Sequence, residues 1–190
     1  MTASLSATRE GLQWRQKFRA QADYQESLGV ATREHYLASY EPNYKIDDRA
    51  YVYGQAQFES DRFLGYTQRY SASAGAGYSA IKAPRLTLDL ELGPAFRSTD
   101  FTDETAQRSF AARGSMDLNW KLLPGLSISQ TASAYVQRFN STVSSATALN
   151  ARLLGPLSAQ LSYNVQYEST PPTGSVSTDT TSRAALVYSF

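Results

Sequence analysis

From Trp14 onward, apolar and polar residues alternate one by one along most of the chain. Trp14, Phe18, Ala20, Ala22 and Tyr24 share one face, with Gln16 the exception, and Arg15, Lys17, Arg19, Gln21 and Asp23 share the other. The plainest case is Leu86, Leu88, Leu90 and Leu92 against Thr87, Asp89, Glu91 and Gly93. Period two is the signature of a β-strand with one apolar and one polar face. Helical readings fail, because the apolar residues stand at i, i+2, i+4 and not at i, i+3, i+4. The pattern predicts eleven strands: one at residues 3–8, then strands starting near 14, 36, 52, 70, 86, 110, 126, 149, 157 and 181. Turn signals separate them, Leu123-Pro-Gly125 and Gly155-Pro156 among them, so the chain reads as an antiparallel meander.

The links alternate in length. Counted back from the end they run long (169–179), short (155–156), long (140–145), short (123–125), long (98–107), short (82–85), long (60–68), short (45–49), long (26–33) and short (10–12). A barrel with short turns on one rim and longer loops on the other requires this alternation; a soluble sandwich does not. The last strand, Thr181 to Phe190, ends in an aromatic with Tyr188 and Leu186 before it. It resembles the C-terminal signature of bacterial outer-membrane barrels, which implies that assembly machinery reads Leu186, Tyr188 and Phe190. The fold expected is all-β: a single domain over 1–190, an antiparallel up-and-down transmembrane β-barrel. Eleven strands are readable, and bacterial barrels use even numbers. About twelve are therefore expected in the parent protein, or ten if residues 3–8 are not a strand.

Composition changes the picture in a few places. No window approaches 18 consecutive apolar residues, which excludes a transmembrane helix but not barrel strands. Mean hydropathy is −0.42, yet the chain holds 13 Tyr, 8 Phe and 2 Trp. Many of these mark strand ends, as interfacial girdles would: Trp14 and Tyr24, Tyr70 and Tyr78, Trp120, Tyr167 and Tyr188. Net charge is +1, which gives no general case for nucleic acid. There is no Cys, hence no disulfide and no thiolate metal site. Met1-Thr-Ala-Ser-Leu-Ser has neither the basic region nor the apolar core of a signal peptide, so a mature or truncated sequence is expected.

If the apolar face meets lipid, the other face lines a lumen. Parity then places Arg15, Lys17, Arg19, Arg97, Arg113, Lys121, Arg152 and Arg183 inside. Asp23, Glu41, Glu59, Asp89, Glu91, Asp117 and Glu168 join them, nearly cancelling the charge. Arg15, Lys17, Arg19, Asp89, Glu91, Arg113, Asp117, Arg152, Glu168 and Arg183 are the candidate lumen-lining residues. Asp89 and Glu91 are expected to pair with lumen arginines such as Arg113, and Gly75-Ala-Gly77 to relieve crowding or let the strand curve. His35 is the only His and reads as a rim residue; a phospholipase-like triad is the sharper alternative. Asp100, Asp103 and Glu104 read as a solvated acidic loop and not a calcium site. No Gly-x-Ser-x-Gly, His-Glu-x-x-His or phosphate-loop motif occurs.

Phe58-Glu-Ser-Asp-Arg-Phe63, Leu88-Asp-Leu-Glu-Leu-Gly-Pro94 and Leu161-Ser-Tyr-Asn-Val-Gln-Tyr-Glu-Ser-Thr-Pro-Pro172 stand in order before Thr178-Asp-Thr-Thr-Ser-Arg-Ala-Ala-Leu-Val-Tyr-Ser-Phe190. Together they resemble the YdiY-like salt-induced outer-membrane proteins, a domain family of unknown function, from about residue 10 to the end. The resemblance implies a Gram-negative outer-membrane location and transfers no functional residue. The partners expected are outer-membrane lipid, lipopolysaccharide and the barrel-assembly machinery. No cofactor, metal or enzymatic activity is expected, and a monomer is the default. Two functions are open: a small porin-like channel, or a structural salt-stress barrel with a filled lumen. The alternatives are a soluble lipocalin-like binder, whose Leu face would point inward, and an outer-membrane enzyme.

Overall fold

A computed structural model describes residues 2–27, 30–138, 140–155, 157–171 and 176–188. Eleven strands follow one another: β1 (Thr2–Glu10), β2 (Trp14–Ser27), β3 (Val30–Lys45), β4 (Ala50–Asp61), β5 (Tyr66–Lys82), β6 (Leu86–Phe101), β7 (Ala106–Leu123), β8 (Leu126–Gln137), β9 (Thr142–Leu154), β10 (Leu157–Glu168) and β11 (Thr178–Tyr188). Each pairs antiparallel with the next, in one sheet ordered β1 to β11. Residues 3–8 lie within β1, so the ten-strand count falls away. Among the described residues β1 and β11 form no ladder with each other. Both are odd-numbered in an up-and-down order and run the same way, so an antiparallel ladder cannot close between them.

The sheet is curled, and its polar face is the inner one. Asp23, Glu41, Glu59, Arg69, Glu91, Arg97 and Arg113 are all buried, whereas Trp14, Phe18, Leu92, Phe110, Trp120 and Leu186 are exposed. Among the described residues, the hydrophobic ones that are buried are Tyr51, Tyr53, Tyr66, Tyr135 and Ala95. A lipocalin-like interior would need the Leu face turned in, and the structure turns it out. Outward aromatics gather in two bands. Trp14 packs edge-on against Tyr44 (5.1 Å) towards the short-turn rim, and Tyr78 and Trp120 are exposed near the short-turn ends of β5 and β7. Phe58–Tyr70 (5.2 Å) and Phe96–Phe110 (5.5 Å) form the other band.

The loops expected to be long are mostly strand. The 60–68 and 98–107 links shrink to residues 62–65 and 102–105, because β4–β5 and β6–β7 continue as ladders such as Arg97↔Ser109 and Thr99↔Gln107. The apolar alternation stops where the outward apolar belt stops, but backbone pairing runs on past it. The short turns follow local chemistry. Gly125 takes φ +88 after Pro124. The N–H groups of Ala50 and Arg49 donate to Asp47 Oδ1 and hold its carboxyl below the usual range.

One corner of the sheet depends on glycine. A Cβ on Gly75 would lie 2.2 Å from the carbonyl oxygen of Leu92, and one on Gly93 would lie 2.1 Å from that of Ala74. The β5–β6 ladder is interrupted here: Ser73↔Ala95 and Ala76↔Leu92 flank it, and Pro94 has no N–H to give. Next to it, the Tyr51 ring covers Gly77, where a Cβ would meet it at 2.2 Å. The Gly75-Ala-Gly77 run therefore makes room twice, once for a neighbouring backbone and once for a ring.

Candidate functional site

The interior is the site. A polar cavity of about 760 Å³ runs inside the curled sheet. Its lining extends from Glu10, Lys82 and Thr87 at the short-turn rim to His35, Asp61 and Leu64 at the opposite rim. Strand alternation delivers these side chains, since every second residue of every strand must point inward.

Ion pairs stack in levels along it. Nearest the short turns, Arg15 Nη1 stands 3.1 Å from Asp89 Oδ2, and Ser79 Oγ donates to Asp89 Oδ1 at 2.6 Å. One level up, Glu91 accepts from Arg113 Nη1 (2.9 Å), Ser115 Oγ (2.7 Å) and Tyr51 OH (3.1 Å). Lys17 Nζ joins Glu41 at 3.0 Å and approaches Glu91 at 3.9 Å. Towards the other rim, Arg69 Nη1 pairs with Glu168 (2.9 Å) and lies 3.9 Å from Glu59. Asn140 and Tyr66 donate to those two carboxylates at 2.7 Å each. Arg97 reaches Ser71 Oγ (3.2 Å) and Thr142 Oγ1 (2.8 Å), with no carboxylate within ion-pair distance among the described residues. Arg183 Nη2 on β11 meets Asp23 Oδ2 on β2 at 2.8 Å, so opposite ends of the sheet are tied across the interior.

Each of four arginines also lies over a tyrosine: Arg15 over Tyr51 (4.8 Å), Arg69 over Tyr66 (3.7 Å), Arg97 over Tyr135 (4.0 Å) and Arg113 over Tyr53 (5.1 Å). Stacking fixes a planar guanidinium while its edge still binds carboxylate. The charges are thus held in place and not waving in the lumen.

The candidate residues are distributed as follows. Arg15, Lys17, Arg19, Asp89, Glu91, Arg113, Asp117 and Arg183 line the cavity. Glu168 is buried in the Arg69 cluster and does not face the open space. Arg152 is a correction: it is exposed beside the short turn of Gly125, whose carbonyl takes its N–H at 2.6 Å, and it stands outside the cavity. The pairing of Glu91 with Arg113 is present, while Asp89 pairs instead with Arg15 on β2. Leu186 faces outward and exposed; Tyr188 ends β11, its side chain and Phe190 lying outside the described residues. His35 Nδ1 sits 3.1 Å from Asp61 Oδ2, and Asp61 Oδ1 caps the turn through Phe63 and Leu64 N–H. No serine hydroxyl among the described residues is hydrogen-bonded to His35. Asp103 turns on itself to bond Thr105, and no group of three or more metal-ligating side chains occurs among the described residues.

Residues that charge-based reading passed over also line the cavity: Ser129, Thr131, Ser133, Ser144, Asn164 and Thr181. Parity alone could have found all but Ser144, since they are inward positions that carry no charge; Ser144 lies in the 140–145 link read as loop. Asn140 and Thr142 escaped because they lie in a link read as loop.

Antiparallel strands curled around a polar, charged interior, with an apolar outer belt, define a porin-like β-barrel fold. The fold is similar to that of the NanC porin, with a TM-score of 0.61 over all of this chain and 93% of that one at 10% identity. The chain belongs to the family described as "Protein of unknown function, DUF481", whose model matches residues 1–190. It is 28% identical over 158 residues to the "Uncharacterized protein YdiY" of Escherichia coli (strain K12), covering 83% of this chain. That match takes in 62% of the relative's own length.

Proposed function

We propose that the protein is a narrow passive pore of the bacterial outer membrane, letting small polar solutes through its lumen. The observation that carries this is the polar cavity lined from rim to rim. Its outward belt, apolar and banded by aromatics, suits a bilayer with lipopolysaccharide in the outer leaflet. Leu186, Tyr188 and Phe190 would be read by the assembly machinery, and the barrel would work as a monomer with no cofactor and no catalysis. A use in salt stress is part of this proposal, as the resemblance to salt-induced outer-membrane proteins implies. Planar-bilayer recording of the full-length refolded protein tests the reading, after heat-modifiable migration has established folding. Discrete conductance steps support it.

A second reading has its own observation. Arg69–Glu168 and Arg97–Thr142 tie facing strands together towards one rim. If these ties fill the bore, the barrel is structural, and a folded protein stays silent in the bilayer.

Within the pore reading, ion pairing sets what a single substitution does. Arg15→Gln leaves Asp89 without its cation. The reversal potential under a salt gradient should move towards cation preference. Arg15→Gln combined with Asp89→Asn should return it to the wild-type value, and failure of the double variant to do so would show that the pair does not act as a unit.

A further inference from the structure

We infer that the permeating solute is small, uncharged and rich in hydroxyls, of polyol or monosaccharide size, and that it passes along the wall made by β8, β9 and β10. This rests on the pore reading above. The observation is a segregation of charge inside the lumen. Along β8, β9 and β10 as far as Gln166, the one charged residue is Arg152, exposed at the rim outside the cavity. The rest of that wall is hydroxyl, amide or small, with Ser129, Thr131, Ser133, Ser144, Ala146 and Asn164 facing the cavity. The charges that line the cavity stand mainly on β2 to β7.

Those charges largely answer one another. Arg15 meets Asp89, Lys17 meets Glu41, Arg113 meets Glu91, Arg183 meets Asp23 and His35 meets Asp61. Of the cavity-lining charges, Arg19, Lys82 and Asp117 show no ion pair among the described contacts; Arg19 and Asp117 are of opposite sign, and Lys82 stands at the short-turn rim, where its Nζ donates to the Asp48 carbonyl at 2.8 Å. An entering ion therefore finds little net field to offset the hydration it gives up in a narrow bore. A neutral polyol loses less. Hydroxyl and amide groups both donate and accept, so it exchanges water contacts for wall contacts of similar strength at each step. The Ser133 and Ser144 hydroxyls, 2.8 Å apart on adjacent strands, form one such rung. Because the wall is neutral, it does not trap what it binds.

The test is osmotic swelling of proteoliposomes carrying the full-length protein, in ribitol against sodium gluconate of similar size, paired with reversal potentials under a potassium chloride gradient. Expected are faster swelling in ribitol and a reversal potential close to zero. Thr131→Asp and Ser144→Asp should each slow ribitol entry severalfold and tilt the reversal potential towards cations. Thr131→Val, which keeps the shape and removes the hydroxyl, should slow ribitol and leave the reversal potential where it was. A pore that conducts with strong ion preference and excludes ribitol overturns this inference and leaves the pore reading standing. Ribitol entry unchanged in folded wall variants overturns the assignment to this wall. A folded, heat-modifiable barrel that neither conducts nor swells overturns the pore reading and this inference with it.

Discussion

Gly93→Ala is expected to abolish the barrel. The methyl group would be placed 2.1 Å from the Ala74 carbonyl oxygen and 2.7 Å from Gly75 Cα. Both are backbone atoms, so no side-chain rotation relieves the overlap; β5 and β6 must separate. Separation would pull on Glu91, two residues away, and on its bonds to Arg113, Ser115 and Tyr51. The effect should fall in the exceptional class of single substitutions, above about 4 kcal/mol. Gly75→Ala should behave alike, since its Cβ would meet Leu92 O at 2.2 Å. Two further variants give the prediction its contrast. Gly77→Ala collides with the Tyr51 ring, which can move, so the cost should be intermediate and partly recovered by adding Tyr51→Ser. Gly114→Ala finds its nearest neighbours at 3.9 Å and should fold normally. Heat-modifiable migration and urea unfolding in detergent read all four. A folded Gly93→Ala of near wild-type midpoint would show that the corner opens without loss.

The strands were legible because period two is a local property, visible wherever one face is apolar. The inner and outer faces were legible for a related reason: Trp14, Tyr70, Tyr78 and Trp120 sit near strand ends on the apolar side, as an outward belt requires. What escaped is what period two does not encode. Ladders continue through Ser98–Phe101 and Ala106–Ser109, where polar residues occupy both faces and the alternation fades. Partners across the lumen are set by curvature and not by spacing, so Arg15 finds Asp89, 74 positions away. The four Arg–Tyr stacks were hidden as well. Tyr51, Tyr53 and Tyr135 fall on the inner face by parity, and Tyr66 reaches it through the register shift between Tyr66 and Gln68, yet an inward tyrosine gives no sign of which guanidinium will cover it. Reading the lumen by its charges also drew attention to Arg152 at a rim and away from the uncharged wall of Ser129, Thr131, Ser133 and Ser144.

Arg69→Leu should be the most damaging change to the interior itself. Arg69 is 2% exposed, paired with Glu168, near Glu59, and stacked 3.7 Å above the Tyr66 ring. Glu168 and Glu59 are nearly as buried, at 3% and 6%. Removing the guanidinium strands two carboxylates in a site where Arg97, with its hydroxyl partners, is the remaining nearby cation. Breaking one side of a buried pair costs roughly 3–5 kcal/mol, most of it the penalty of the abandoned charge. Arg69→Leu with Glu168→Gln should therefore be more stable than Arg69→Leu alone, because a neutral amide can still accept from Asn140. Arg69→Lys keeps the charge but gives up the flat stack and the forked geometry, so it should fall between. Urea midpoints in detergent order the three variants, and equal midpoints for the single and double would show that the stranded carboxylate is not the cause. The same set separates the two readings of the barrel. If the Arg69–Glu168 tie narrows the bore, the folded double variant should pass more current than the wild type. If the path runs beside this cluster, along the neutral wall of β8, β9 and β10, conductance should hardly change while stability falls.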